Sequence, residues 1–456
     1  MILAPCLPWI SPWGARLLSD VVSAGRRDGT AGLDGPRPRS ARPQSGWPRP
    51  GRLWPWAVLW PWALLSSLLH ARGAGVSWHF FADGGRLLLG GGTGGGLHVY
   101  AAHPQYQIGP LALALAGGLR ALSPTHSELA AILAMSATGP LVLAAVWRLL
   151  PVPQRRSAGR LLAAGLLFLP VWAELTTHFG HLDDLLALCF AVAAAHAVAR
   201  GHPVWAGLAL AAAADSKPWA VAFAALLLAL PRRDRLPALA VFTAGMAVAW
   251  LPFLLADPHT LLAARFAIPN DPSSALRVLG VGAARTPWWD RPAQLALGLA
   301  GGWLAVRRGR WPAVILVAVC ARILLDPAVY PYYTSGVLLG TIGVDLVVTR
   351  WRVPWITLLA VAMLYVTRFT GDLVPFPLAA LGLLRAVFAI GVPVLVLALP
   401  ARRLARTPGR HARDPSHQRG RRGRVSVVPP TGIPGGGGPG GPAPWSGRPE
   451  RAACGR

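Results

Sequence analysis

Lysine is almost missing from this chain: Lys217 stands alone against 43 Arg. Acids are scarce too, with 18 Asp and Glu in 456 residues, and charged residues of both signs make up only 14%. A soluble domain carries about 25%. With 54% hydrophobic residues and a mean hydropathy of +0.45, the composition is that of an integral membrane protein. The four Cys (Cys6, Cys189, Cys320, Cys454) share no CxxC spacing, which excludes a disulfide framework and a zinc ribbon. No GxxxxGK[ST] occurs, so the Gly runs at 90–92 and 94–96 are not a phosphate loop. Residues 1–25 lack a basic n-region and are broken by Pro8 and Pro12, which argues against a cleaved signal peptide. The excess of Arg over Lys reads as genomic base composition rather than chemistry.

What the chain does have is positive charge, +26 in all, and its placement matters more than its size. Residues 1–52 hold eight Arg against three Asp, and residues 400–456 hold twelve Arg against Asp414 and Glu450. The rest lies largely in short loops between apolar runs. Cations flanking apolar segments are a topology signal, and polybasic tails suit an anionic cytoplasmic leaflet. Nucleic-acid binding is therefore not expected. Residues 1–50 and 401–456, rich in Pro, Gly and Arg, read as disordered segments around a membrane domain at 51–400.

The fold class expected is an all-α polytopic membrane protein with about twelve transmembrane helices, within a range of ten to thirteen. The apolar segments are 53–71, 127–149, 160–177, 183–199, 203–216, 217–231, 236–256, 292–306, 311–325, 332–348, 353–367 and 374–399. A further apolar stretch at 106–122 decides the topology. If it spanned, the basic loops would alternate wrongly. Laid in the outer interface, it leaves Arg148, Arg155, Arg156, Arg160, Arg200, Arg232, Arg233, Arg235, Arg307, Arg308, Arg310, Arg350 and Arg352 all inside. Both termini then lie in the cytoplasm of a plasma-membrane protein. A large first outer loop, 72–126, faces out together with pieces at 177–182, 215–217, 257–291, 326–332 and 368–373.

Asp83 is the one acid between Asp34 and Glu128, set where the first apolar segment meets that outer loop. A lone carboxylate at the edge of lipid is a functional candidate. The alternative is an acid that pairs with Arg86, three residues on, or caps a helix.

Phe80-Phe81-Ala82-Asp83-Gly84-Gly85, Leu97-His98-Val99-Tyr100 and Pro104-Gln105-Tyr106-Gln107-Ile108-Gly109-Pro110-Leu111 fill the first loop. Gly180-His181-Leu182-Asp183-Asp184 opens a helix, Ala214-Asp215-Ser216-Lys217-Pro218 ends one, and Asp326-Pro327 precedes Tyr330-Pro331-Tyr332-Tyr333. On these stretches residues 53–400 resemble the GT-C superfamily of membrane glycosyltransferases. Within it they are most similar to family 87, the actinobacterial polyprenol-phosphate-mannose-dependent α-mannosyltransferases. The resemblance implies a GT-C-like fold with interfacial helices in the first outer loop. It implies transfer of a hexose, mannose by likeness, from a polyprenyl-phosphate donor to a lipid or glycan acceptor, with Asp83 as base. A transporter or lipid-linked-sugar flippase and a catalytically inactive membrane scaffold are the competing readings. The partners expected are donor, acceptor and membrane lipids.

The substrate-binding candidates are Arg86, His98, Tyr100, Gln105, Gln107, His178, His181, Asp183, Asp184, Lys217, Tyr332 and Tyr333. His98, Tyr100, Gln105 and Gln107 offer groups for sugar hydroxyls or phosphate, although Tyr also favours a wet interface by itself. Glu174, His178, His181, Asp183 and Asp184 make the densest polar cluster outside the tails. Asp183 and Asp184 complement the dipole of their helix in its first turn, which leaves the His pair and Glu174 to explain. Acceptor binding, phosphate binding and a divalent metal are the options. Metal is the weakest, because strict ligand spacing is absent. No metal or other cofactor is expected. Lys217 can neutralise a leaving phosphate or pair with Asp215. Arg322, four residues before Asp326, is placed to be its salt-bridge partner. Arg265, Arg277, Arg285 and Arg291 sit in a long outer loop, where the charge rule does not bind.

Overall fold

The computed structural model describes residues 54–150, 158–369 and 377–399, all within one unit of the chain. The proposed terminal segments 1–50 and 401–456, Arg155 and Arg156, and most of the 368–373 turn lie outside the described residues. The described residues are helical throughout, and their one β-type pairing is the isolated bridge between Pro269 and Arg285.

The elements that matter here are α1 (Trp54–Leu69), α2 (Trp78–Gly90), α3 (Pro110–Leu122), α4 (Ser127–Arg148), α5 (Ala158–His178), α6 (Leu182–Arg200) and α7 (Pro203–Ser216). A twelve-residue 3-10 helix, Pro218–Ala229, follows. Then come α8 (Arg232–Ala256), α9 (Asp290–Arg307), α10 (Val314–Leu325), α11 (Tyr333–Val348), α12 (Trp355–Phe369) and α13 (Leu378–Ala398). Five of them, α4, α5, α6, α8 and α13, are long and apolar enough to cross a membrane. The other apolar segments form shorter helices, and 217–231 takes the tighter 3-10 winding instead of the α-helix its composition suggests. Pro218 explains its start. It forces Lys217 into an extended conformation, φ −145° and ψ 113°, which breaks the chain away from α7.

Exposure separates this bundle from a water-soluble one. Only 17% of the apolar window of α8 is buried, and Val248, Leu255 and Leu236 are each more than 70% exposed. A helix that is apolar all round and still uncovered is matched to lipid.

The loops gather at one end. Gly75, Val76 and Ser77 donate backbone N–H groups to the carbonyls of Thr177, His178 and Phe179 at 2.8–3.1 Å, and Gly109 N–H reaches Ser216 O at 2.9 Å. Asp271 N–H reaches Pro327 O at 2.8 Å. Arg291 donates to the Gln107 side chain at 2.8 Å. Segments 72–126, 177–182, 257–291 and 326–332 thus meet through these hydrogen bonds. At the far ends of the helices, Arg308 and Arg310 donate to Leu397 O, and Arg160 donates to the carbonyls of Asp345 and Thr349. Arg160, Arg308 and Arg310 are thus held by carbonyls of other helices, whereas Arg86, Arg120, Arg291 and Arg322 lie with the polar loops.

The segment at 106–122, expected as an interfacial helix, forms α3, which lies against α2 in the first loop. Two glycines allow this crossing: a Cβ on Gly85 would come 2.6 Å from Leu113 O and closer still to the Gly117 backbone. Neither neighbour is a flexible side-chain end. Gly85→Val is accordingly expected to cost about 3 kcal/mol, the upper end for overpacking, and to lower the melting temperature of detergent-purified protein. An unchanged melt would mean that α2 and α3 are free to part.

Candidate functional site

The site is built at the loop end from four short sequence features. Gly180 turns the chain between α5 and α6 with φ +61°, a conformation that glycine adopts without strain. His181 follows as the N-cap residue of α6, and Asp183 and Asp184 fill its first turn, where the helix dipole favours carboxylates. Lys217 is presented by the break before Pro218. Arg322 comes from the last turn of α10, Asp326 caps that helix, and Tyr332 and Tyr333 open α11.

These residues interlock. The Lys217 ammonium binds Asp183 Oδ2 directly and lies 3.5 Å from Asp184 Oδ2. Asp184 Oδ1 accepts from Trp219 Nε1 and from Arg322 Nη1, each at 3.2 Å. Arg322 Nε reaches Asp326 Oδ2 at 3.4 Å, the pair expected from their spacing. The guanidinium sits between two rings, 4.5 Å from the centroid of Trp219 and 4.0 Å from that of Tyr333. His181 Nε2 lies 3.4 Å from Asp183 Oδ1 and 3.2 Å from Asp184 Oδ2. Its ring packs on Tyr332 at 3.8 Å and edge-on to Phe81 at 5.4 Å. Asp183 is fully buried, and Asp184 and Arg322 nearly so. Burial pushes the Asp326 carboxyl above its ordinary range, with Arg322 and the Ala328 N–H pulling the other way.

Beside this cluster is a cavity of about 220 Å³, whose lining includes Tyr330, Tyr333, Thr334, Arg368 and Arg385. Tyr333 belongs to both, stacked on Arg322 and lining the cavity. Arg385 donates to Ser273 O at 2.6 Å, and Arg368 forms a two-pronged pair with Glu174.

Six of the candidates named from sequence, His181, Asp183, Asp184, Lys217, Tyr332 and Tyr333, are thus brought together. The others lie elsewhere at the same end. Asp83 is about half exposed, 4.0 Å from Arg86 and 3.6 Å from Arg120. It stands two residues beyond Phe81, which meets His181; a helix turns about 200° over that step, so Asp83 occupies the other face of α2. His98 lies 3.5 Å from Asp257, whose carboxylate also holds His259 at 2.9 Å. Hydrogen bonds from the His259 backbone and ring keep Asp257 below the usual carboxylate range. Tyr100 is fully buried, donating to Ile108 O at 2.8 Å between Trp250 and Phe253. Gln107 accepts from Arg291, Gln105 is exposed, and His178 packs on Phe179. Glu174, read with the His–Asp cluster, is turned from it by a single π turn at Glu174–His178 and faces Arg368 instead. Lys217 pairs with Asp183 and Asp184, not with Asp215.

Sequence reasoning passed over Trp219, Arg368 and Arg385. Trp219 directly follows the Lys217-Pro218 break, which was signal enough to draw attention to it. Arg385 sits within an apolar run, where a cation needs a partner or a ligand, and Arg368 directly follows one. No family model matches the chain, and neither a curated protein nor a solved structure matches it.

Proposed function

We propose that the protein is a membrane glycosyltransferase of GT-C type. It moves a hexose, mannose by family likeness, from a polyprenyl-phosphate donor to a lipid or glycan acceptor outside the plasma membrane. The carrying observation is the buried group of Asp183, Asp184, Lys217, His181 and Arg322 beside a cavity with two Arg in its lining, at the loop end of an apolar helical bundle. The location supports transfer over transport, since a transporter places its polar groups near the membrane midplane.

In this reading the chain crosses the membrane twelve times with both termini on the basic side. The shorter helices take part. A 3-10 helix rises about 2.0 Å per residue, so the twelve residues of Pro218–Ala229 reach about 24 Å, as far as sixteen α-helical residues. The donor phosphate enters the cavity. Arg385, which donates to the Ser273 carbonyl, neutralises it there, because the Lys217 ammonium and the Arg368 guanidinium are already taken by carboxylates. By family likeness alone, Asp83 of α2, which faces Arg86 and Arg120, serves as base. It takes the proton of the acceptor hydroxyl as that oxygen bonds to the sugar C1, and the C1–O bond to phosphate breaks to release polyprenyl phosphate.

The test uses purified full-length protein, radiolabelled polyprenyl-phosphate-mannose and a membrane-lipid extract as acceptor. Wild type is expected to transfer label. Asp83→Asn should lower kcat about 100-fold or more, the scale of a general base, and Arg385→Met should raise the KM for donor. Full turnover in Asp83→Asn would remove the base assignment, and no transfer by wild type would remove the transferase.

A further inference from the structure

We propose that His181, Asp183 and Asp184 bind one divalent first-row cation, a property that goes beyond sugar transfer and does not depend on it. One ligand atom from each residue lies within 4.8 Å of the other two. The measured separations are closer to a coordination shell than that bound requires. Metal–ligand bonds of about 2.0–2.2 Å place neighbouring ligand atoms roughly 3.0–3.5 Å apart in octahedral or tetrahedral geometry. His181 Nε2 stands 3.4 Å from Asp183 Oδ1 and 3.2 Å from Asp184 Oδ2.

The hydrogen bonding separates this arrangement from an ordinary ion pair. Both ring nitrogens of His181 are buried without a well-aligned hydrogen bond, and so is Asp184 Oδ2, which has the Lys217 ammonium 3.5 Å away. An imidazolium paired with a carboxylate aims an N–H at one oxygen. Here Nε2 stands at similar distance from one oxygen of each carboxylate, a spacing that co-ligands share. Buried polar atoms left in this way are rare and costly.

The surroundings hold the carboxylates as an outer shell holds metal ligands. Asp184 Oδ1 is fixed by Trp219 and Arg322, and Oδ2 lies 3.2 Å from His181 Nε2 and 3.5 Å from the Lys217 ammonium. Lys217 grips Oδ2 of Asp183, and Oδ1 is the oxygen that faces the imidazole. One imidazole with two carboxylates suits Mn²⁺ or Zn²⁺ better than Ca²⁺ or Mg²⁺, which favour oxygen-only shells.

The experiment is a titration of Mn²⁺ into metal-stripped, full-length protein in detergent, with free Mn²⁺ followed by electron paramagnetic resonance. One saturable equivalent is expected, weakened tenfold or more by His181→Ala and by Asp184→Asn. Asp257→Asn, at a carboxylate that touches two other histidines, should leave it unchanged. Pulsed measurements on wild type should also show ¹⁴N coupling from a directly bound imidazole, a readout that does not require any variant to fold. The absence of a saturable equivalent, an oxygen-only spectrum, or equal affinity in His181→Ala and Asp184→Asn would each overturn the site. Because the readout is binding, Mn²⁺ bound at His181 in a protein that transfers no sugar would overturn the transferase reading alone.

Discussion

Replacing Lys217 with Met is expected to destabilise the protein by about 3–5 kcal/mol, the loss found when one partner of a buried ion pair is removed. Lys217 is the chain's single lysine, and its ammonium contacts both Asp183 and Asp184. Methionine preserves most of the volume, so the loss is electrostatic rather than a cavity effect. Asp183 is fully buried, and without the ammonium its Oδ2 has no cation in contact; its Oδ1 keeps the Asp184 N–H at 2.7 Å. Asp184 retains Arg322 and Trp219, so the exposed weakness is at Asp183. A further variant isolates the cause. Asp183→Asn combined with Lys217→Met removes the stranded charge and should recover part of the stability. The measurement is a thermal melt of purified protein. A melt of Lys217→Met coincident with wild type would show that the ammonium does not hold these carboxylates.

Much of this architecture was legible because the membrane imposes one-dimensional rules on a sequence. Apolar length marks the helices, and Arg between them marks one side. That reasoning placed the segments 72–126, 177–182, 257–291 and 326–332 together; backbone hydrogen bonds join the first to the second and the third to the fourth, and the Arg291–Gln107 bond links the two pairs. The Arg322–Asp326 pair was legible as an i, i+4 spacing. The Arg322–Asp184 contact was not, because its partners are 138 residues apart and nothing local records which helices adjoin. Asp83 drew attention by its isolation along the chain. Isolation says nothing about which face of α2 it occupies, and that face is set by Phe81 packing under His181. Glu174 and His181 misled in the opposite sense. They are close in sequence, yet a π turn and the left-handed Gly180 send one to Arg368 and the other to the aspartates. The winding of Pro218–Ala229 was hidden as well, since hydropathy is blind to the difference between 3-10 and α geometry.

Arg322→Lys is expected to behave almost as badly as Arg322→Met, with a loss of about 3 kcal/mol or more for each, even though lysine keeps the charge. The guanidinium has three simultaneous tasks that depend on its shape. Nη1 donates to Asp184 at 3.2 Å, Nε donates to Asp326 at 3.4 Å, and the flat faces stack between Trp219 and Tyr333. An ammonium on a flexible stem offers a point charge, which can approach one carboxylate but cannot bridge two in a plane while filling the slot between two rings. Either Asp184 or Asp326 is then left without its donor in a buried setting, and α10 loses its tie to α6. The consequence for the site follows from Tyr333, which is stacked on Arg322 and lines the 220 Å³ cavity. Arg322→Lys should therefore loosen the cavity wall as well as lower the melting temperature. Wild-type stability in Arg322→Lys would show that charge alone suffices at this position and that the ring stacking contributes little. A melt lowered equally in Arg322→Lys and Arg322→Met would show that the planar fork, not the positive charge, joins α6 to α10.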